Sequence, residues 1–338
     1  MRTAFATFLM LNDNYLPGCL VLAGGLRRQG VGVPLFVLVT DDVSPQARDA
    51  LRELYDHVVE VERIYVPHAR RQQRQDRPYY FTRIQILRLG RDGDLGFDLD
   101  RVVVIDADVL PLSDYAALLE LEAPAGVLNE DRSHLAETDE NGQYVIPPEA
   151  SRGSWIWHRI YADCLHGQLV PRHISDRPAQ DPTNMGFNGS LFVMQPSMAE
   201  YQSILRDLER PEIRRLVGDL FDWPDMQYLT IRWSGRWRNI DVRYSALNGY
   251  PSLEVLYGTH FAGFKPWYFQ RRKAMERYAR YPDFQLWFER YEELVAAYPG
   301  LLRMGKLKRL LEAVRKVRAA GEKGESGGGY IDEGACHG

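Results

Sequence analysis

At 338 residues the chain is long enough for one large domain or two small ones, and a composition of 45% hydrophobic and 26% charged residues excludes intrinsic disorder. Lys+Arg 42 against Asp+Glu 46 leaves a formal charge of −4, without the excess positive charge on which nucleic-acid binding depends. Three cysteines, Cys19, Cys164 and Cys336, are odd in number and form no CxxC, so neither a disulfide framework nor a structural zinc site is expected; a reducing, cytoplasmic setting fits.

Taken in chain order, the first half alternates strand-like and helix-like patterns. Thr3–Leu9 is a short apolar run, too short for the core of a signal peptide, and no later run approaches the roughly 18–20 apolar residues of a membrane span. Residues 15–29 read as a helix ending at Gly30, and Leu35–Val39 as a buried strand. Ser44 is placed to cap a helix that has Pro45 at its first position and apolar Ala47, Leu51 and Leu54 at helical spacing; His57–Val61 is the next strand. A helix over 79–89 and a Gly/Asp-rich linker lead to Arg101–Ile105, whose unbroken apolar reading predicts a strand buried on both faces. The alternation predicts an α/β architecture with a mostly parallel sheet.

From about residue 130 to 182 the rhythm breaks, and this polar, Pro- and His-containing stretch reads as an insertion. Its Trp155 and Trp157 could offer an exposed aromatic platform or anchor the insertion to the core. Order returns with a strand at Gly189–Met194, helices near 197–209 and 225–234, a strand around 253–260, and helices over 282–298 and 301–320. Gly321–Gly338 reads as a flexible Gly-rich tail.

The sharpest chemical signal is Asp106-Ala107-Asp108, directly after the strand 101–105. If that segment stays extended, both carboxylates face one side at the carboxyl edge of the sheet. Two hard anionic oxygens there suit Mn²⁺ or Mg²⁺; the bland alternative is an acidic turn. At His260-Phe-Ala-Gly-Phe-Lys-Pro-Trp267, His260 could complete a metal shell, Gly263 admits a ligand close to the backbone, and Lys265 offers a point charge for phosphate. Asn12 can bond a base edge and Tyr15 can stack on its face, or the two can serve as a helix cap and a core aromatic.

In this order and at these distances the motifs resemble the glycogenin-like glycosyltransferases, family 8 of the retaining GT-A enzymes, over residues 3–129 and 185–268. The likeness includes Asn12 and Tyr15, Gly18–Leu26 on the first helix, Asp106 and Asp108, the Phe187-Asn188 box, Asp225 and the His260 to Trp267 box. It implies a Rossmann-like, mostly parallel central sheet flanked by helices, with an insertion and C-terminal helices. It also implies a GT-A domain over 1–268, with the insertion 130–182 and its tryptophans on the acceptor side, a helical region over 269–320 and a tail over 321–338. The implied reaction is retaining, metal-dependent transfer of a hexose, glucose or galactose favoured, from a UDP-sugar to a glycan, lipid-linked or protein acceptor. The implied ligand set is Asp106, Asp108 and His260 on Mn²⁺, with Mg²⁺ as the alternative ion. Leu9, Asn12, Tyr15, Arg83, Ala107, Gly263 and Lys265 join the two aspartates around the nucleotide-sugar. Asp225, Asn188, Arg83 and Gln227 are the candidates for catalytic work, Asp225 either as the carboxylate near the anomeric carbon or as a holder of sugar hydroxyls.

Four departures mark the chain. The family's Asn-Ser/Ala-Gly is Asn188-Gly189-Ser190, its Asp-Gln pair is Asp225-Met226-Gln227, and Arg83 stands where Lys is frequent. These altered boxes raise the alternative of a noncatalytic nucleotide-sugar or glycan-binding protein on a degenerate GT-A scaffold. The interval between Gly263 and Lys265 is one residue short. The run Leu22-Ala-Gly-Gly-Leu26 is similar to the phosphate loop of sugar nucleotidyltransferases but lacks its continuation, and helix packing of small residues accounts for it. By analogy with glycogenin, Tyr330 is the most reachable self-acceptor. Finally, 303–323 carries eight basic residues against two acidic ones, with Leu307, Leu310, Leu311, Val314 and Val317 on one stripe. Such a helix could lie on a membrane surface or pack its stripe on the domain. A homodimer is compatible with the sequence.

Overall fold

A computed structural model describes residues 1–69, 75–128, 164–248 and 253–325. A seven-stranded sheet runs in the order β3-β2-β1-β4-β7-β6-β8. Its strands are β1 (Thr3–Leu9), β2 (Leu35–Val39), β3 (His57–Glu60), β4 (Arg101–Ile105), β6 (Ala125–Leu128), β7 (Phe187–Met194) and β8 (Arg238–Asn239). The pairs β1/β2, β1/β4, β2/β3 and β6/β8 are parallel, and only β7 runs against its neighbours β4 and β6. A second sheet holds β5 (Val109–Pro111), β9 (Ala246–Leu247) and β10 (Gly258–His260) in the order β5-β10-β9. The α/β class with a mostly parallel central sheet is the one expected from the sequence.

The unbroken apolar strands have a direct cause. Phe5 and Leu9, Val37 and Val39, and Val103 and Ile105 belong to one core; Ala4 and Phe8, Phe36 and Leu38, and Val102 and Val104 belong to the other. Side chains alternate across a strand, so helices on both faces require apolar residues at every position. The first core takes α1 (Leu16–Arg28) and α2 (Pro45–Arg52), together with two helices from the end of the chain. Ser44 caps α2 as expected, its Oγ accepting the Ala47 N–H at 3.2 Å. The second core takes residues 77–89, α3 (Met198–Leu208) and α4 (Pro224–Arg232).

Two expectations change in detail. The helix expected over 79–89 is wound in 3₁₀ turns across Arg77–Leu89. Longer runs of this tighter helix are uncommon, and side-chain bonds tie this one to the adjacent chain, from Gln85 Nε2 to Glu62 O and from Ile64 N to Thr82 Oγ1. The strand expected around 253–260 is a 3₁₀ turn at Leu253–Val255 followed by the short β10. A Cβ at Gly258 would meet Tyr115 Oη and Tyr244 O, so pairing begins where glycine lets the chain pass under Tyr115.

The C-terminal helices α5 (Pro282–Ala297) and α6 (Gly305–Glu325) share the first core with α1. Leu307, Leu310, Leu311, Val314 and Val317 are all buried there. The apolar stripe of 303–323 therefore faces the domain, which removes the membrane-inserting form of that expectation and leaves an exposed basic face. The small residues of α1 do packing work: a Cβ at Gly24 would lie 3.1 Å from Leu294, and one at Gly25 2.8 Å from Pro111. Trp155, Trp157, Tyr330 and Cys336 lie outside the described residues; Cys19 and Cys164 are buried free thiols.

Candidate active site

β4 delivers Asp106 to the carboxyl edge of the sheet, where Asp106 N donates to Ser190 O at 2.8 Å. Val109 N then donates back to Asp106 O at 3.0 Å, closing a turn. The extended geometry expected for Asp106-Ala107-Asp108 is thus replaced by a tight turn, because the chain must leave the large sheet and enter β5. β5 pairs antiparallel with β10, with Val109 opposite His260, and Phe261 N donates to Asp108 O at 2.8 Å. That pairing brings residue 260 to the acidic turn across more than 150 positions. α1 packs against the same turn: a Cβ at Gly18 would collide with Ala107 O and lie 2.6 Å from Trp267.

Each aspartate is held by a different cation. Asp106 Oδ2 accepts from Arg83 Nη2 at 2.8 Å, and Asp108 Oδ2 accepts from Lys265 Nζ at 2.5 Å. Burial pushes the Asp106 carboxyl above the usual carboxylate range; Arg83 opposes this and the charge of Asp108 adds to it. Burial acts the same way on Asp108, but Lys265 and His260 outweigh it and hold Asp108 below that range. Lys265 is therefore placed on an acidic side chain, with a second bond to Phe261 O, and its ammonium lies 5.8 Å from the Tyr15 ring centre.

Among the described residues no three His, Cys, Asp or Glu side chains stand ready as a metal cage. One feature nevertheless fits a cation. Asp108 Oδ1 is buried without a hydrogen-bond partner and lies 3.5 Å from His260 Nε2. A carboxylate oxygen left bare beside an imidazole nitrogen is a mixed oxygen/nitrogen donor pair suited to a divalent ion. Arg83 holds Asp106 through Oδ2 alone, so the other carboxylate oxygen of Asp106 could join them.

On the side of Asp225, Arg83 occupies the centre. Its Nη1 donates to Gly189 O at 2.7 Å, and its Nε lies 3.8 Å from Asp225 Oδ2. Gly189 is available because the register of β7 against β6 jumps: Gly126 pairs with Phe192 and Val127 with Asn188, so 189–191 bulge on that side while Leu191 stays paired with Ile105. Such bulges re-aim backbone groups beside active sites. A Cβ at Gly189 would land on Arg83 Nη1 and lie 3.0 Å from Met226 Cγ. Asp225, in the first turn of α4, is almost fully buried, and that burial pushes its carboxyl up to about 6 in spite of Arg83.

The other expected residues separate. Asn188 Oδ1 is occupied by Ser190 N at 2.9 Å. Gln227 is fully buried and turned away: its Nε2 donates to Pro182 O and Asn184 O at 2.7 and 2.8 Å, and its Oε1 accepts Trp223 N at 2.9 Å. Both ends of the Gln227 amide thus brace 182–184 and the start of α4 in this structure. Leu9 ends β1 with its side chain in the core, Asn12 is exposed, Gly263 is exposed with open space around it, and Tyr15 meets Trp267 edge-on at 5.5 Å. Met226, outside the expected site residues, lines the cavity formed by Arg83, Phe187, Asn188, Gly189 and Asp225; its place directly after Asp225 in the first helical turn is the available signal.

A family model described as glycosyl transferase family 8 matches residues 6–270. The chain belongs to glycosyltransferase family 8. Among relatives of this family 8 enzyme, galactinol synthase 1 of Ajuga reptans is 25% identical over 284 residues, covering 81% of this chain and 76% of that protein. The uncharacterized protein R707 of Acanthamoeba polyphaga mimivirus is 24% identical over 274 residues, covering 78% and 82%. Among solved structures, the galactosyltransferase LgtC in complex with donor and acceptor sugar analogs aligns at a TM-score of 0.49 and 12% identity, over 86% of this chain and 95% of that one. The chain is thus a glycosyltransferase that acts on a sugar donor and an acceptor, and the noncatalytic alternative is set aside.

Proposed function

We propose that the enzyme transfers a hexose, glucose or galactose, from a UDP-sugar to a carbohydrate, lipid-linked or protein acceptor with retention of configuration, using Mn²⁺ held by Asp106, Asp108 and His260. The observation that carries the reading is the bare Asp108 Oδ1 beside His260 Nε2, within a buried cluster that also holds Asp106, Arg83, Lys265 and Asp225. A bound divalent cation would neutralise charge developing on the leaving diphosphate. Lys265 contributes a second positive charge to the same end of the site.

The chain's own groups divide the remaining work. Asn12 and Tyr15 border the nucleoside side, where the exposed amide meets a base edge and the ring offers a face. Arg83 presents a rigid fork that bridges the metal side and the sugar side, holding Asp106 and Gly189 O together. Asp225, buried and partly compensated by Arg83, is the group that orients the sugar hydroxyls nearest the bond that breaks.

Incubation with UDP-glucose and UDP-galactose, with Mn²⁺ or EDTA, tests this by UDP release. Mn²⁺-dependent release from one of the two donors, lost in Asp108→Ala, is the expected result. Release that is indifferent to EDTA removes the metal assignment, and no release from either donor removes the donor assignment.

A further inference from the structure

The loop that opens the nucleoside side is held from two directions. Leu11 lies in the left-handed region at φ 69°, and Asn12 Oδ1 accepts Asn14 N at 2.8 Å. From one side, the Asp13 carboxylate accepts Ser44 N at 2.9 Å and Ser44 Oγ at 2.6 Å. From the other comes a residue far along the chain: Lys306 Nζ donates to Asp13 O at 2.9 Å and to Asn14 Oδ1 at 3.0 Å. Lys306 lies beyond residue 270, where the family match ends.

Nothing local favours an ammonium at that position. Lys306 is in the first turn of α6, which contains no acidic residue, and a cation there opposes the helix dipole. The side chain is half-buried, and its pKa is pushed down by burial and by Arg309, with Asp13 alone acting in the other direction. What compensates these costs is the pair of loop acceptors. The platform is firm as well: Leu307, Leu310 and Leu311 are buried, and Tyr291 Oη donates to Leu307 O at 2.8 Å.

We propose that Lys306 is a positioning residue of the donor site, fixing Asp13 and Asn14 so that Asn12 and Tyr15 meet the base of a nucleoside diphosphate. The C-terminal helix is then part of donor recognition. This inference rests on the reading above that Asn12 and Tyr15 receive the base.

The test uses full-length protein and three chains: wild type, Lys306→Met and Lys306→Arg. UDP binding with Mn²⁺ is measured by calorimetry, donor turnover by UDP release, and stability by thermal unfolding. Loss of two hydrogen bonds from a charged donor should weaken UDP binding in Lys306→Met by about tenfold. The donor KM should rise in parallel while kcat stays within about twofold, the signature of binding lost equally from ground and transition states. Lys306→Arg should restore most of the affinity, and the unfolding midpoint should stay put in both variants. Unchanged UDP affinity in Lys306→Met, or a fall in kcat at constant KM, overturns the proposal. So does weakened binding that tracks a lowered unfolding midpoint and is not rescued by arginine. Wild-type protein that binds no UDP overturns the donor reading and this inference with it, whereas wild-type binding with an unaffected variant overturns this inference alone.

Discussion

The two edges of the candidate site, proposed here as a metal edge around Asp106, Asp108 and His260 and a sugar edge around Asp225, share Arg83 but are built in different ways. At the metal edge, regular pairing does the assembly: β4 presents Asp106, the turn passes Asp108, and β5 aligned with β10 brings His260 opposite Val109. At the sugar edge the parts are irregular. A 3₁₀ segment carries Arg83, a bulge at 189–191 supplies the carbonyl it grips, and the first turn of α4 carries Asp225. Regular ladders fix which residues meet and tolerate side-chain change, whereas the irregular edge depends on a few atoms fitting one guanidinium.

The largest effect should come from the metal edge. In Asp108→Ala turnover should fall by at least about 10²–10³-fold, and Lys265, 5% exposed, loses its carboxylate. Removing one partner of a buried ion pair costs on the order of 3–5 kcal/mol, which urea unfolding would register. The double variant Asp108→Ala/Lys265→Met should recover much of that stability and none of the turnover. Asp106→Ala should be equally inactive but less destabilised, because Arg83 keeps Gly189 O and Asp225 nearby. Equal stability loss in both variants would dissolve the distinction between the two aspartates.

The sugar edge should break more subtly. In Gly189→Ala the new methyl takes the place of Arg83 Nη1, and displacement of a positioning group by about 1 Å can cost up to roughly 100-fold in rate. A fall of about 10- to 100-fold is expected, with little change in the unfolding midpoint. If the damage runs through Arg83, Gly189→Ala should add almost nothing in an Arg83→Lys background. Additive losses would place the fault in the strand.

This division also explains what could be read from the chain in advance. Strands 3–9, 35–39 and 101–105 announce themselves because burial on both faces leaves no polar position, and Ser44-Pro45 is a local helix start. Asp106, Asp108 and His260 follow because they sit at strand ends. The attachment of Lys265 to Asp108, the brace at Gln227, the bulge beside Gly189 and the reach of Lys306 to Asp13 carry no period. Each is a long-range pairing of one side chain, invisible until the fold places its partner.

A pH experiment sharpens the comparison further. Asp225 has its folded-state pKa raised to about 6 from 3.8, so between those values the folded state holds the proton that the unfolded chain has released. Stability contributed by this group therefore falls as pH rises from about 4 to about 6, and the full cost, up to about 3 kcal/mol, is present above that window. Asp225→Asn should be more stable than wild type at pH 7–8, with the advantage vanishing below about pH 4. The acid limb of kcat/KM in the wild type should lie near pH 6 if the ionised form does the work. An advantage that persists unchanged at low pH would mean that packing, and not charge burial, separates the two proteins.

The smallest effect expected lies away from both edges, on α6. Its apolar stripe is spent on the core, while Lys308, Arg309, Arg315 and Lys316 face outward, with Glu292 lying 3.5 Å from Arg315. Each exposed cation can gain about 1 kcal/mol near an anionic bilayer, and the large apolar side chains of the stripe are not available to insert. Any contact with a membrane should therefore be purely electrostatic: measurable sedimentation with phosphatidylserine vesicles at low salt, none with neutral ones, and release as salt shortens the screening length. Deleting the helix would be a poor control, since it would strip Leu307, Leu310 and Val314 from the core. Replacing Lys308, Arg315 and Lys316 by Gln keeps the stripe and removes the charge, and leaves Lys306 and its neighbour Arg309 in place. Vesicle binding that survives this replacement, or that resists high salt, would require an apolar anchor elsewhere in the chain.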